Sequence, residues 1–244
     1  MTAPSPTPAV IAELAPNGSL RAAINFGNPV LARRDAASGE PGGISTDIAR
    51  ELARRLGAKF DCVPYEQAGH VFEGLKSGAW DICFLAIDPS RAAEIAFTDA
   101  YVVIEGVYMV ATESAARTNE DVDCAGTRVG VITGSAYDLF LSRELKHASI
   151  VRAPSIDAVM DLWNARAVEA VAGVKPQLAA EARRAGGLRL LPQRFMAINQ
   201  AMGTPRDRET GASYLCAFMA DLKATGFIAQ AFARNKIGGA SLAA

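Results

Sequence analysis

The run Tyr101-Val102-Val103-Ile104-Glu105-Gly106-Val107-Tyr108-Met109-Val110-Ala111 (YVVIEGVYMVA, residues 101–111) is long and apolar for a single strand. Strands of globular proteins mostly span about five or six residues. An extended segment of this length can leave one domain and enter another. A second such run, Phe195 to Gly203 (FMAINQAMG), follows near the other end of the chain. Two extended crossings imply two domains joined by two strands.

The segments on either side give those domains their class. Before the first crossing, Leu20 to Phe26 reads as a strand closed by the turn Gly27-Asn28-Pro29. Residues 31–43 (LARRDAASGEPGG) read as a loop or short hairpin. A helix follows, with Ser45 or Thr46 as its cap, Ile48, Leu52 and Leu56 as its apolar stripe, and Gly57 as its stop. Arg50, Arg54 and Arg55 lie off that stripe and read as solvated. Lys59 to Val63 is a strand, His70 to Ser77 a helix and Asp81 to Ala86 (DICFLA) a strand apolar enough to be buried on both faces. After the first crossing the pattern repeats. Arg128 to Ile132 is a strand, Thr133-Gly134-Ser135 a turn and Ala136 to Glu144 a helix. A strand at Ile150 to Arg152, a helix capped by Ser155, a strand at Val168 to Val174 and a helix at Pro176 to Ala185 follow. Helices over about Arg208 to Ala224 and Phe227 to Arg234 complete the chain. The β-α-β-α-β order predicts an α/β fold: two Rossmann-like lobes joined by a two-strand hinge.

Composition narrows the function. Of 244 residues half are apolar, and 25 basic residues nearly balance 26 acidic ones, for a formal net charge of −1. That balance gives no electrostatic reason for a nucleic-acid or acidic-membrane partner, and no apolar stretch is long enough for a membrane span. Cys62, Cys83, Cys124 and Cys216 lie far apart with no paired spacing, which predicts neither a zinc site nor a disulfide framework and makes all four structural. The first eight residues (MTAPSPTP) carry neither the basic nor the apolar region of a secretory signal and read as a disordered lead. As written the protein is expected in the cytoplasm; a leader removed ahead of Met1 would put it in the periplasm. No GxSxG, P-loop or GxGxxG motif is present, and neither His70 nor His147 belongs to a metal or nucleophile constellation. No catalytic residue, metal or cofactor is assigned. In an α/β fold, ligands meet the turns beyond the strand ends, here Asn25 to Asn28, Gln67 to Gly69, Ala86 to Arg91, Thr133 to Tyr137 and Val174-Lys175.

Four segments, in order, carry a resemblance: Gly43 to Leu52 (GISTDIAREL), Gly74 to Asp81 (GLKSGAWD), Arg91 to Tyr101 (RAAEIAFTDAY) and Arg128 to Ser135 (RVGVITGS). Together they resemble the polar-amino-acid class of solute-binding proteins of ABC importers, family 3, over about residues 18–236. The resemblance implies the type II periplasmic-binding-protein fold, in which the first lobe holds both chain ends and the second is inserted; here that puts lobe 1 at residues 1–103 and 200–244 and lobe 2 at 104–199, with crossings near Val103 and Asn199. It also implies hinge closure on a small carboxylate (an amino acid, keto acid or dicarboxylate), a monomer and an ABC permease as partner. In that family the arginine ahead of the FTDAY segment grips the ligand carboxylate, and Arg91 stands there; a guanidinium can do so through two parallel hydrogen bonds. The turn Ser135-Ala136-Tyr137 would be a second carboxylate seat at a helix N-terminus, with Ser135 equally a plain N-cap and Tyr137 equally a packing residue.

Departures from the family shape the expected ligand. Members that bind α-amino acids place an acid after the second-lobe strand; here Val174 and Lys175 stand instead. Lys175 would favour an anionic group over an ammonium, or else reach to solvent. Asp88 could receive an ammonium or cap the helix beginning near Pro89. Ala86 stands where hydroxyls are common, so backbone groups would replace them. Asn25 and Asn28 are either ligand contacts or turn formers, Phe26 an apolar wall, and Gln200 a cleft or hinge residue. Two other classes remain on the same fold: a cyclohexadienyl dehydratase-like enzyme, with Glu66, Asp88 or Glu105 as general acid, and a cytosolic metabolite sensor.

Overall fold

The computed structural model describes residues 5–243. The chain divides into two compact units: one runs to Val103 and resumes at Asn199, the other is Ile104–Ile198.

The first unit opens with a helix that composition alone conceals. Thr7 caps α1 (Pro8–Leu14), accepting from the Val10 N–H at 3.4 Å, and Pro8 sits at the first helical position. Proline is tolerated there because that position needs no N–H donor. Thr7 and Pro8, expected in a disordered lead, thus begin a helix, and residues 1–4 of that expectation lie outside the described residues. β1 (Ser19–Asn25) follows, then β2 (Arg33–Arg34) and β3 (Pro41–Gly42), a small hairpin within the polar stretch. α2 (Ile44–Leu56) buries Ile44, Ile48, Leu52 and Leu56. Its cap is Gly43, not Ser45 or Thr46. A Cβ on Gly43, at φ 104°, would come within 2.4 Å of the Leu31 carbonyl oxygen. Ser45 is turned inward to the Tyr101 hydroxyl at 2.9 Å, and Thr46 donates to the Gly42 carbonyl at 3.2 Å. Gly57 ends the helix in the left-handed conformation, as read.

β4 (Lys59–Tyr65), α3 (Ala68–Lys76), β5 (Ile82–Ala86) and α4 (Pro89–Ala92) come next. β1 pairs in parallel with β4 along its whole length and with β5 through Ala22↔Ile82, and all five residues of β5 are buried. Ala23, Val71, Trp80, Cys83, Leu85 and Ile95 form a core cluster, with the Trp80 indole donating to the Val71 carbonyl at 2.8 Å. β6 (Ile95–Ala111) starts ahead of the apolar run, and its 17 residues carry the chain from the first unit into the second.

The second unit continues with β7 (Arg128–Ile132), α5 (Ala136–Glu144), β8 (Ser149–Ala153), α6 (Ile156–Asn164), β9 (Ala170–Val174) and α7 (Lys175–Ala185). β7 lies between β8 and β9 in parallel, and β9 runs antiparallel to β6 through Gly106↔Val174. A short β10 (Leu188–Leu190), absent from the sequence reading, pairs with the end of β6. Val107, Met109, Val159, Met160, Val171 and Leu178 centre the core.

β11 (Met196–Pro205) returns the chain to the first unit, antiparallel to β5 through Gln200↔Ala86. α8 (Glu209–Ala224), α9 (Phe227–Arg234) and β12 (Ala240–Leu242) complete that unit. α8 buries Leu215, Phe218, Met219 and Leu222 and meets α9 at 70°. Among the described residues no single helix is long and apolar enough to cross a membrane. The four cysteines are free: Cys83 is buried, Cys62 half-buried, and Cys124 and Cys216 exposed.

Candidate functional site

Each unit gathers candidate residues beyond its strand ends. In the first, β5 ends at Ala86, and Asp88 starts a four-residue helix that turns Arg91 back over the strand end. Asp88 acts as the cap: its carboxylate accepts from the Ser90 N–H at 2.9 Å and the Ser90 hydroxyl at 2.6 Å. Arg91 is 1 % exposed and donates to the Ala86 carbonyl at 3.0 Å. Burial draws its pKa down to about 10, against the pull of Asp88. It is still a cation at neutral pH, held out of water, where a carboxylate bonded through two N–H groups gains most. Gln200 is buried beside Ala86 in the β11–β5 ladder.

Asn25 and Asn28 form turns: their side-chain oxygens accept from Gly27 at 3.1 Å and Val30 at 3.3 Å. Gly27 is obligatory there, because a Cβ would fall 2.0 Å from the Glu66 carbonyl oxygen. Phe26 is half-buried and carries the Arg34 guanidinium 4.1 Å from its ring centre; Arg34 also lies 3.6 Å from the Glu66 carboxylate.

In the second unit the β7–α5 turn is tightly wired. Ser135 caps α5, its hydroxyl accepting from the Asp138 N–H at 3.0 Å. Asp138 answers by accepting from the Gly134 N–H at 2.9 Å, and Arg152 holds its other oxygen at 2.9 Å. Ser135 is thus an N-cap first, and the first-turn N–H groups of Ala136 and Tyr137 have no intrahelical acceptor. Tyr137 packs inside the unit at 5 % exposure, where burial pushes its phenol pKa up against a hydrogen bond to Ser135.

Lys175 begins α7 just past β9, and Val174 offers that helix no side-chain cap. Its ammonium sits 2.5 Å from the Glu105 carboxylate, with Arg194 3.9 Å from the same group. The Gly106↔Val174 register sets Glu105 opposite Lys175. Lys175, read from sequence as favouring an anionic group or else reaching to solvent, is therefore half of an ion pair. Nothing in the sequence signals a pairing across 70 positions, nor the Asp138–Arg152 and Phe26–Arg34 contacts. The three acids weighed as proton donors are all engaged: Asp88 by Ser90, Glu66 by Arg34 and Glu105 by Lys175.

The sequence matches the bacterial extracellular solute-binding proteins, family 3, over residues 20–235. The chain belongs to this family. An arginine-binding periplasmic protein of Mannheimia haemolytica is 26 % identical to this solute-binding protein over 156 residues, covering 62 % of the chain and 61 % of the relative's length. A mutant of ArgBP from T. maritima superposes with a TM-score of 0.77 at 22 % identity, over 92 % of this chain and 98 % of that one. An ancestral amino acid-binding protein, a precursor of cyclohexadienyl dehydratase, gives 0.76 at 19 % identity over the same shares. These likenesses bear out the α/β periplasmic-binding-protein fold.

Proposed function

We propose that this solute-binding protein captures a small carboxylate, namely an amino acid, keto acid or dicarboxylate, by hinge closure about the two crossing strands, and delivers it as a monomer to an ABC permease in the periplasm. The observation that carries the reading is Arg91, a guanidinium 1 % exposed at the end of β5. In the second unit the Ala136 and Tyr137 N–H groups complete the carboxylate's shell. Closure follows because only the closed state would offer both sets of donors. The family and the amino-acid-binding proteins that share the fold support this binding role over catalysis.

A thermal-shift panel of amino acids, keto acids and dicarboxylates, followed by calorimetry, identifies the ligand. A ligand at a hundred times its dissociation constant adds about 2.7 kcal/mol of stability. Arg91→Lys keeps the charge and removes the planar fork, so affinity should fall at least about tenfold. Unchanged affinity would remove Arg91 from the site.

A further inference from the structure

We propose that the site discriminates against cationic ligands because two of the chain's own cations occupy the groups that would receive one: Lys175 on Glu105, and Arg34 on Phe26. The proposal rests on the carboxylate-binding reading above and sets its charge preference.

The first half of the argument lies in the second unit. Glu105 stands beside the end of β9 and is bracketed by Lys175 at 2.5 Å and Arg194 at 3.9 Å. One acid between two cations leaves that corner positive. Lys175 is also the first residue of α7, whose free N–H groups and positive dipole end carry the same sign. A ligand ammonium seeking Glu105 would have to expel Lys175 and leave it unpaired at a helix N-terminus. An anionic group meets the remaining Lys175 donors and the helix end with no such displacement.

The second half is independent and lies in the first unit. Phe26, just past β1, offers a ring face of the kind that could hold a ligand cation. Arg34 already lies 4.1 Å from its centre and is tethered towards Glu66 at 3.6 Å. Asp88, the remaining acid at these strand ends, caps Ser90 and lies in the field of Arg91.

Calorimetry on the full chain with L-arginine, L-glutamate and succinate tests this. Wild type should bind its better anionic probe at least about tenfold tighter than L-arginine, the worth of one charge-assisted hydrogen bond. Lys175→Met should move that ratio about tenfold towards L-arginine, and Lys175→Met/Glu105→Gln should cancel the move. Arg34→Ala should shift the ratio the same way by itself. Lys175 and Arg34 are half-exposed, and a thermal melt of each variant confirms the fold. Wild type that prefers L-arginine, or a ratio unmoved by Lys175→Met, overturns the proposal. Carboxylates that bind without regard to charge defeat this inference alone; if no carboxylate binds, the carboxylate reading falls and takes this one with it.

Discussion

Asp81 shows how much one residue carries below the site. It closes the GLKSGAWD segment and its side chain is fully buried. Four donors satisfy it: the Arg21 N–H and Nε at 3.0 Å, Arg21 Nη2 at 2.8 Å and Arg208 Nη1 at 2.9 Å. The pairing holds the Arg21 guanidinium pKa above its ordinary value, with the Asp81 hydrogen bond the largest cause and burial opposing it. It joins β1, the start of β5 and the approach to α8. Cutting one member from such a buried network strands the others, at a cost of about 3–5 kcal/mol. Asp81→Ala should therefore lower the unfolding free energy by that order in a urea titration; a loss within the scatter of a surface substitution would show the network to be dispensable.

At the scale of elements, α2 and α8 are tied through charge as well as apolar packing. Glu51 accepts from Arg54 and Arg55, and Arg55 reaches Asp221 on α8 at 2.6 Å while stacking on Phe218 at 4.9 Å. The sequence put Arg55 among solvated residues because it lies off the apolar stripe; its long side chain reaches a partner helix that periodicity cannot locate. The Arg54 hydrogen bond does most to hold the Glu51 carboxyl down from its ordinary 4.5 to about 2, with burial opposing and Arg55 assisting. A depressed carboxyl stabilises the fold above its unfolded pKa and loses that contribution as pH falls through the folded one. Wild type and Glu51→Gln should thus differ in urea midpoint at pH 7 and converge between pH 4.5 and about 2; a constant difference over that window would mean that Glu51 acts through packing. The same division governs what could be read in advance. Strand and helix order, the Gly57 stop and the Ser135 and Ser155 caps were legible, because periodicity and capping are local. β10 and β12 were not, since three residues show no period and exist by pairing with β6. Among the candidate residues, the places of Arg91 past β5 and of Ser135 at the start of α5 could be read from strand-end position. The partners that define Lys175 and Phe26 could not, because an ion pair or a cation over a ring leaves no spacing signature.

For the whole molecule, the division of the chain matters most. The second unit is one continuous stretch, Ile104–Ile198, whereas the first is assembled from both ends of the sequence. A continuous unit closes only its own loops, while a discontinuous one must also close the loop that contains the insertion. The second unit has its own core, in which Val107, Val159, Val171 and Leu178 are fully buried. The first lacks β11 and α8 until the chain returns, and with them the partner of β5 and the buried Phe218 and Leu222. A fragment spanning 104–198 should therefore unfold cooperatively in urea with a dispersed amide spectrum. A chain stopped after Ile198 should protect only the amides of residues 104–198 from hydrogen exchange. A molten 104–198 fragment would mean that the second unit depends on the first for its order. A folded one would show that the inserted unit is self-sufficient, while the first must wait for the C-terminal half of the chain that brings it β11 and α8.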